Sequence, residues 1–213
     1  DLGLKNLDLM MGLDNRVIFD MQDVVEERCL LERALLQDKR EKNLYLLPVC
    51  KGVNFSGIHQ EDFVRVMRVL QNQFDYLFID TPAGVESGFR FASTVANLDV
   101  SALQDADRVI GLLLKEGVAM LELVLNKVSP RAIDKGMCVK IEDATSWLAI
   151  PLLGYIVEDV RMQSCNNRGL PIAVARDSQL YHCFDVLARR FLKEKVALPK
   201  LNERRFLSRI FAT

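Results

Sequence analysis

Four short apolar-rich runs constrain this chain more than any other feature: Leu44–Val49, Tyr76–Ile79, Leu121–Val128 and Leu152–Val157. None keeps the strict apolar–polar alternation of a strand with one wet face. A strand covered on both sides reads instead as a compact run of Val, Ile and Leu, the mark of a parallel sheet. Helical spacing separates the runs. Over Asp20–Leu36 the apolar positions suit a helix, in one piece or two, and Gln60–Phe74 carries a clear amphipathic stripe of Phe63, Val64, Met67, Leu70 and Phe74. Ile141–Ala149 and Asp177–Lys195 also read as helices. Strands alternating with helices predict a doubly wound, mainly parallel α/β sheet with helices on both faces. Half of the 213 residues are apolar and 27% are charged, enough core for such a fold and too little net charge for general disorder. The longest apolar runs are too short to span a bilayer.

In a sheet of this kind ligands bind beyond the carboxyl ends of the strands. Phe78-Ile79-Asp80-Thr81-Pro82-Ala83-Gly84 therefore stands out. Asp80 ends an apolar strand where a carboxylate can hold a magnesium-bound water, and Gly84 lets a backbone amide come close to a phosphate. The plainer reading is an aspartate that caps a turn. The full run, with Asp1-Leu2-Gly3-Leu4-Lys5-Asn6-Leu7-Asp8 upstream, resembles the deviant-Walker P-loop ATPases, the ParA/MinD family, and within it the MinD branch. The resemblance continues through Leu9–Gly12, Asn43–Pro48, Asp105–Gly111, Asn126–Val128, Gly154–Asp159, Asn167–Pro171 and Arg204–Phe211, and so spans the chain in order.

That resemblance implies ATP and Mg2+ as cofactors, and a role for each matching residue. Asp1 falls on the switch I aspartate that orients the attacking water, with Lys5 and Asn6 as switch I residues near the dimer and partner surface. Asp80 falls on the Walker B aspartate, holding magnesium through water, and Gly84 on the switch II glycine. Asn126 falls on the asparagine that reads the adenine edge with one donor and one acceptor. Asn6 and Asn126 each have a bland alternative, as a turn former and as a partner for loop backbone. The family's Gly-rich loop, with two lysines and a threonine, is expected before Asp1 on a strand and helix of its own. Without it this sequence alone should not hydrolyse ATP. Near Phe91–Leu98 the spacing is too short for the helix and strand that normally follow switch II. Val157 stands where the family often has proline.

The charge is uneven. The sequence from Arg189 onward carries +6, and the remainder −7, for a net of −1. If Glu203–Phe211 is helical, Phe206, Leu207, Ile210 and Phe211 fall within about 140° of one another. Arg205 and Arg209 lie opposite, with Arg204 at the edge, the pattern of a helix lying on anionic lipid. Packing on the protein's own core is the rival reading. Pro199 divides an ATPase domain, 1–198, from this tail, 199–213. So short a helix is marginal in water, so two tails in a dimer should bind where one does not. His59 and His182 have no nucleophile or ligand spacing. Cys29, Cys50, Cys138, Cys165 and Cys183 are scattered and read as reduced thiols.

The sequence thus predicts an ATP-dependent homodimer, cytoplasmic and peripheral on the inner face of the cell membrane. By the resemblance it would recruit a MinC-like division inhibitor and be released by MinE-stimulated hydrolysis. A flagellar-number regulator of the same type is the nearest alternative. A ParA-like partitioning ATPase needs a basic DNA-binding body, which a charge of −7 opposes, so no nucleic acid partner is expected. A non-catalytic membrane adaptor is the reading if no P-loop exists.

Overall fold

The computed structural model describes residues 7–49, 58–80, 91–172, 176 and 178–201. The chain divides into two units, one drawn from Asp1–Pro82 and Gln163–Pro171, the other from Ala83–Met162 and Ile172–Thr213. The crossing from second to first falls within one helix, named below.

In the first unit, a short helix α1 (Leu7–Met10) precedes α2 (Met21–Val25) and α3 (Leu31–Ala34). The stretch 20–36 is two helices because Glu27 adopts a left-handed φ of 58°, which an α-helix cannot continue through. Asp20 starts α2 with a reciprocal cap. Its Oδ1 accepts from the amides of Gln22 (2.9 Å) and Asp23 (3.2 Å), while Asp23 Oδ2 accepts from the Asp20 amide (2.9 Å). Strands β1 (Leu36–Gln37) and β2 (Tyr45–Leu46) pair antiparallel, Leu36 opposite Leu46. Asp38 shapes their connection by accepting from the amides of Arg40 (2.7 Å) and Glu41 (2.9 Å). Helix α4 (Gln60–Gln71) turns Val66 and Leu70 onto Met21, with Leu47, Phe63 and Phe74 packed around them.

The second unit holds the sheet. Strand β3 (Phe91–Ala96) pairs parallel with β4 (Met120–Val128), from Phe91 opposite Met120 to Ala96 opposite Leu125. Strand β5 (Leu152–Val157) lies parallel on the other side of β4. Helix α5 (Val100–Lys115) crosses from β3 to β4. Asp99 caps it by accepting from the Ala102 amide at 2.8 Å, and Leu103, Ala106, Ile110 and Leu113 form its buried stripe. The second crossover carries α6 (Pro130–Asp134) and α7 (Ile141–Leu148). After β5 come α8 (Val160–Asn167), in which the chain passes to the first unit, and α9 (Gln179–Phe191), which packs along β5 with Leu180, Cys183 and Val186 buried. Leu103, Leu123, Leu125, Val128 and Leu180 make the core of this unit.

Two expected strands are not there in the form predicted. Of Leu44–Val49 only Tyr45–Leu46 is strand, and Leu44 and Tyr45 are exposed rather than buried. Tyr76–Ile79 carries no strand, and Phe78 is 80% exposed. Apolar composition alone does not decide whether a segment is buried as a strand. No described strand pairs with residues 76–80. Near Phe91–Leu98, where the spacing was expected to be too short for a helix and a strand, Phe91–Ala96 forms a strand.

A candidate nucleotide site at the carboxyl edge of the sheet

The second unit has two surface hollows at opposite ends of its sheet. One, about 340 Å³, lies at the amino ends of β4 and β5, lined by Met120, Glu122, Ile150 and Pro151 among others. The other, about 330 Å³, lies beyond the carboxyl end of β3, between Leu98–Val100 and Gly136–Val139. The topology of a parallel sheet favours the carboxyl edge as the ligand side.

Asn126 sits at that edge, half-buried, near the end of β4. Leu125 is opposite Tyr155 and Val128 opposite Val157. Between them β4 has two residues, Asn126 and Lys127, where β5 has only Ile156. The extra residue is a β-bulge, and Lys127 takes it up with a φ of 51°. A bulge of this sort re-aims a side chain at a strand end. Immediately across, the amide of Glu158 donates to the carbonyl of Val128 at 2.9 Å, fixing the turn after β5 beside Asn126. Asp159 and Arg161 complete the edge. Arg161 Nε lies 3.0 Å from both carboxylate oxygens, and its hydrogen bonds hold the Asp159 carboxyl below the ordinary range, against the partial burial that pushes it up. A neutral amide next to a charge-compensated turn can hydrogen-bond a planar heterocycle without adding net charge.

In the first unit, Asp80 is exposed at the end of the 76–80 segment. The same unit brings together two stretches that carried the family resemblance. Gly12 and Gly169 meet backbone to backbone, so close that a Cβ on Gly169 would stand 2.8 Å from Gly12 Cα. Two cations cover the junction: Lys39 donates to the Gly12 carbonyl (3.2 Å), and Arg40 to those of Gly169 and Met11 (3.1 Å each). Periodicity could not reveal this junction, nor the turn at Glu158–Arg161; the motifs 9–12, 154–159 and 167–171 were the only signal. Asp1, Lys5, Asn6, Gly84 and the tail residues Arg204, Arg205, Phe206, Leu207, Arg209, Ile210 and Phe211 lie outside the described residues. Among the described residues no helix is long and apolar enough to cross a membrane.

No protein-family model matches the chain. The septum site-determining protein MinD of Bacillus subtilis (strain 168) is 37% identical over 212 residues, 95% of this chain and 79% of that protein. Among solved structures, the MinC:MinD cell division protein complex of Aquifex aeolicus aligns with a TM-score of 0.85 and 33% identity, over 93% of this chain and 82% of that one. MinD of Pyrococcus horikoshii OT3, complexed with Mg-ADP, aligns with a TM-score of 0.72 and 27% identity, over 92% and 84%. The fold is that of an α/β P-loop NTPase. Within that class, the chain belongs to the septum site-determining MinD family.

Proposed function

We propose that the intact protein carrying this sequence is the ATPase of a division-site placement system. It binds ATP with Mg2+, dimerises on it, and thereby pairs two C-terminal tails on an anionic membrane. There it recruits a MinC-like inhibitor, and hydrolysis stimulated by a MinE-like partner releases it. The observation that carries the reading is the 37% identity to a septum site-determining MinD over 95% of the chain. The relative solved with MinC and the relative solved with Mg-ADP support the partner and the nucleotide for this chain by likeness.

One residue in each unit has chemistry that suits part of a magnesium nucleotide. An accessible carboxylate, Asp80, is the hard oxygen ligand that a hydrated Mg2+ takes, and the half-buried Asn126 offers the paired donor and acceptor that an adenine edge needs. When bound, Mg-ATP would supply the phosphoanhydride bond to be hydrolysed and a metal charge on the phosphates. The chain's own work would be positioning: by the resemblance Asp1 would orient the attacking water, Asp80 would hold magnesium through a water, and Gly84 would let a backbone amide approach the terminal phosphate. By the resemblance, Lys5 and Asn6 would serve in switch I, near the dimer and partner surface. Turnover then breaks the dimer and separates the tails.

Vesicle co-sedimentation tests this. Anionic vesicles should recruit the intact protein with ATP far better than with ADP. Phe206→Glu, which puts a charge amid the apolar face of the tail, should abolish recruitment while leaving ATP binding intact. Recruitment of that variant at the parent level would show that the tail does not hold the membrane.

A further inference from the structure

Where α9 ends, the chain turns back and is fastened. Lys193 takes a φ of 64°, which stops the helix and reverses the chain. Its ammonium pairs with Glu122 of β4 at 2.9 Å, and Arg189 of α9 pairs with Glu194 at 2.8 Å. Arg190 then spans the return. Its guanidinium donates to the carbonyls of Leu153 (Nε, 2.6 Å) and Leu152 (3.0 Å) at the start of β5, and to that of Val196 (2.8 Å) in the returning segment. Further along, Leu198 lies 3.8 Å from where a Cβ on Gly154 would be, and the Tyr155 hydroxyl donates to the carbonyl of Pro199. The order of these contacts is consistent. Val196 matches 152–153, Leu198 matches Gly154, and Pro199 matches Tyr155, so the segment tracks β5 in the same direction.

No ladder holds this segment, since 194–201 has no regular structure; side chains hold it instead. An Arg fork with three backbone carbonyls is a directional grip that a lysine cannot copy. Burial pushes the Tyr155 hydroxyl up to about 12, so it remains a donor at every physiological pH.

We propose that 193–201 is a fixed root for the C-terminal tail, and that Arg190 and Tyr155 are the positioning residues that hold it on the body. The inference rests on the membrane reading above. Its physical content is effective concentration. With the root fixed, the last held residue is Leu201, about two residues from the expected helix at Glu203. With the root released it is Lys193, about ten residues away. Effective concentration falls roughly as the −3/2 power of tether length, so engagement of the second tail should weaken about tenfold.

The test uses the intact protein with Arg190→Leu, Arg190→Lys and Tyr155→Phe. Trypsin cleavage after Lys193 and Lys195 reads the root without any membrane, and titration with phosphatidylglycerol-containing vesicles in ATP reads recruitment. Each variant should be cleaved at least about fivefold faster than the parent while keeping ATP-driven dimerisation. Arg190→Leu should need about tenfold more lipid for half-recruitment, with Arg190→Lys and Tyr155→Phe between it and the parent. Tyr155→Phe removes one hydroxyl, so it keeps the test open if Arg190→Leu does not fold. Faster cleavage with an unchanged lipid titration overturns the positioning role. Unchanged cleavage in both Arg190→Lys and Tyr155→Phe overturns the root itself. If the parent fails to bind vesicles in ATP, the membrane reading falls and the root's role with it, whatever the cleavage shows.

Discussion

Replacing Gly169 with alanine should damage the first unit far more than its single added methyl suggests. Two costs combine. Gly169 has a φ of 59°, where an L-residue with a Cβ is strained by roughly 1–2 kcal/mol. The new Cβ would also stand 2.8 Å from Gly12 Cα, 3.0 Å from Gly12 N and 3.2 Å from the Leu9 carbonyl. All three are backbone atoms and cannot rotate away, and overpacking of this kind costs about 1–3 kcal/mol. The sum is about 3 kcal/mol, or a fall of roughly 6–12 °C in melting temperature for a chain of this size. Two further glycines separate the causes. Gly136 has a φ of 64° with nothing within 4 Å of its would-be Cβ, so Gly136→Ala should lose only about 1 kcal/mol. Gly111 lies inside α5 with open space beside it, and Gly111→Ala should gain about 0.5–1 kcal/mol by propensity. Thermal melts followed by circular dichroism at 222 nm read all three. If Gly169→Ala melts within about 2 °C of Gly136→Ala, the backbone junction described above does not exist.

The other predictions concern the candidate site. Asp159 is ionised more readily in the fold than its ordinary value of 3.8 implies, so its contribution to stability is present above that pH. In urea titrations, the deficit of Asp159→Asn should be largest near neutrality and shrink as pH falls below 3.8 through the folded value; a deficit that grows on acidification refutes the pairing with Arg161. Asp80→Ala in the intact protein should impair nucleotide binding only when magnesium is present, and a magnesium-dependent gain in binding as large as the parent's would remove Asp80 from the site. Asn126→Ala should weaken ATP binding about tenfold through the loss of two hydrogen bonds, and narrow the preference for ATP over GTP in competition binding. An unchanged preference means that Asn126 does not read the base.

The strands of the sheet unit were legible in the sequence; the apolar runs of the first unit were not the buried strands expected. Leu152–Val157 was expected as a strand and is one over those same residues, while Leu121–Val128 begins one residue earlier, at Met120. Both lie inside the sheet unit, where an apolar run finds partners. Leu44–Val49 carries the same signal but pairs over only Tyr45–Leu46, and Tyr76–Ile79 carries it but is exposed at Tyr76, Phe78 and Ile79. The helices were legible in place but overlong: 60–74 stops at Gln71 and 177–195 spans Gln179–Phe191. Phe74 still packs on the core after the helical hydrogen bonds have ended, whereas Leu192, just past α9, is exposed. At the candidate site, Asn126 could be named from a motif, yet the bulge that presents it depends on the β4–β5 register, which no local spacing encodes. Arg190 reads in sequence as one of two arginines at a helix end. Only the fold shows that Arg189 faces a carboxylate and Arg190 faces carbonyls.

The grip of Arg190 also sets a schedule. The carbonyl of Leu152 waits for a donor that is 38 residues further along the chain. At about 5–20 residues per second, a ribosome makes that donor roughly 2–8 s later. During this interval β5 can already join β4, but its first carbonyls have only water, and an open strand margin invites pairing with another nascent chain. Slower codons between Leu152 and Arg190 would lengthen the interval without altering a single residue. The yield of folded protein is thus tied to the tempo of translation across α8 and α9.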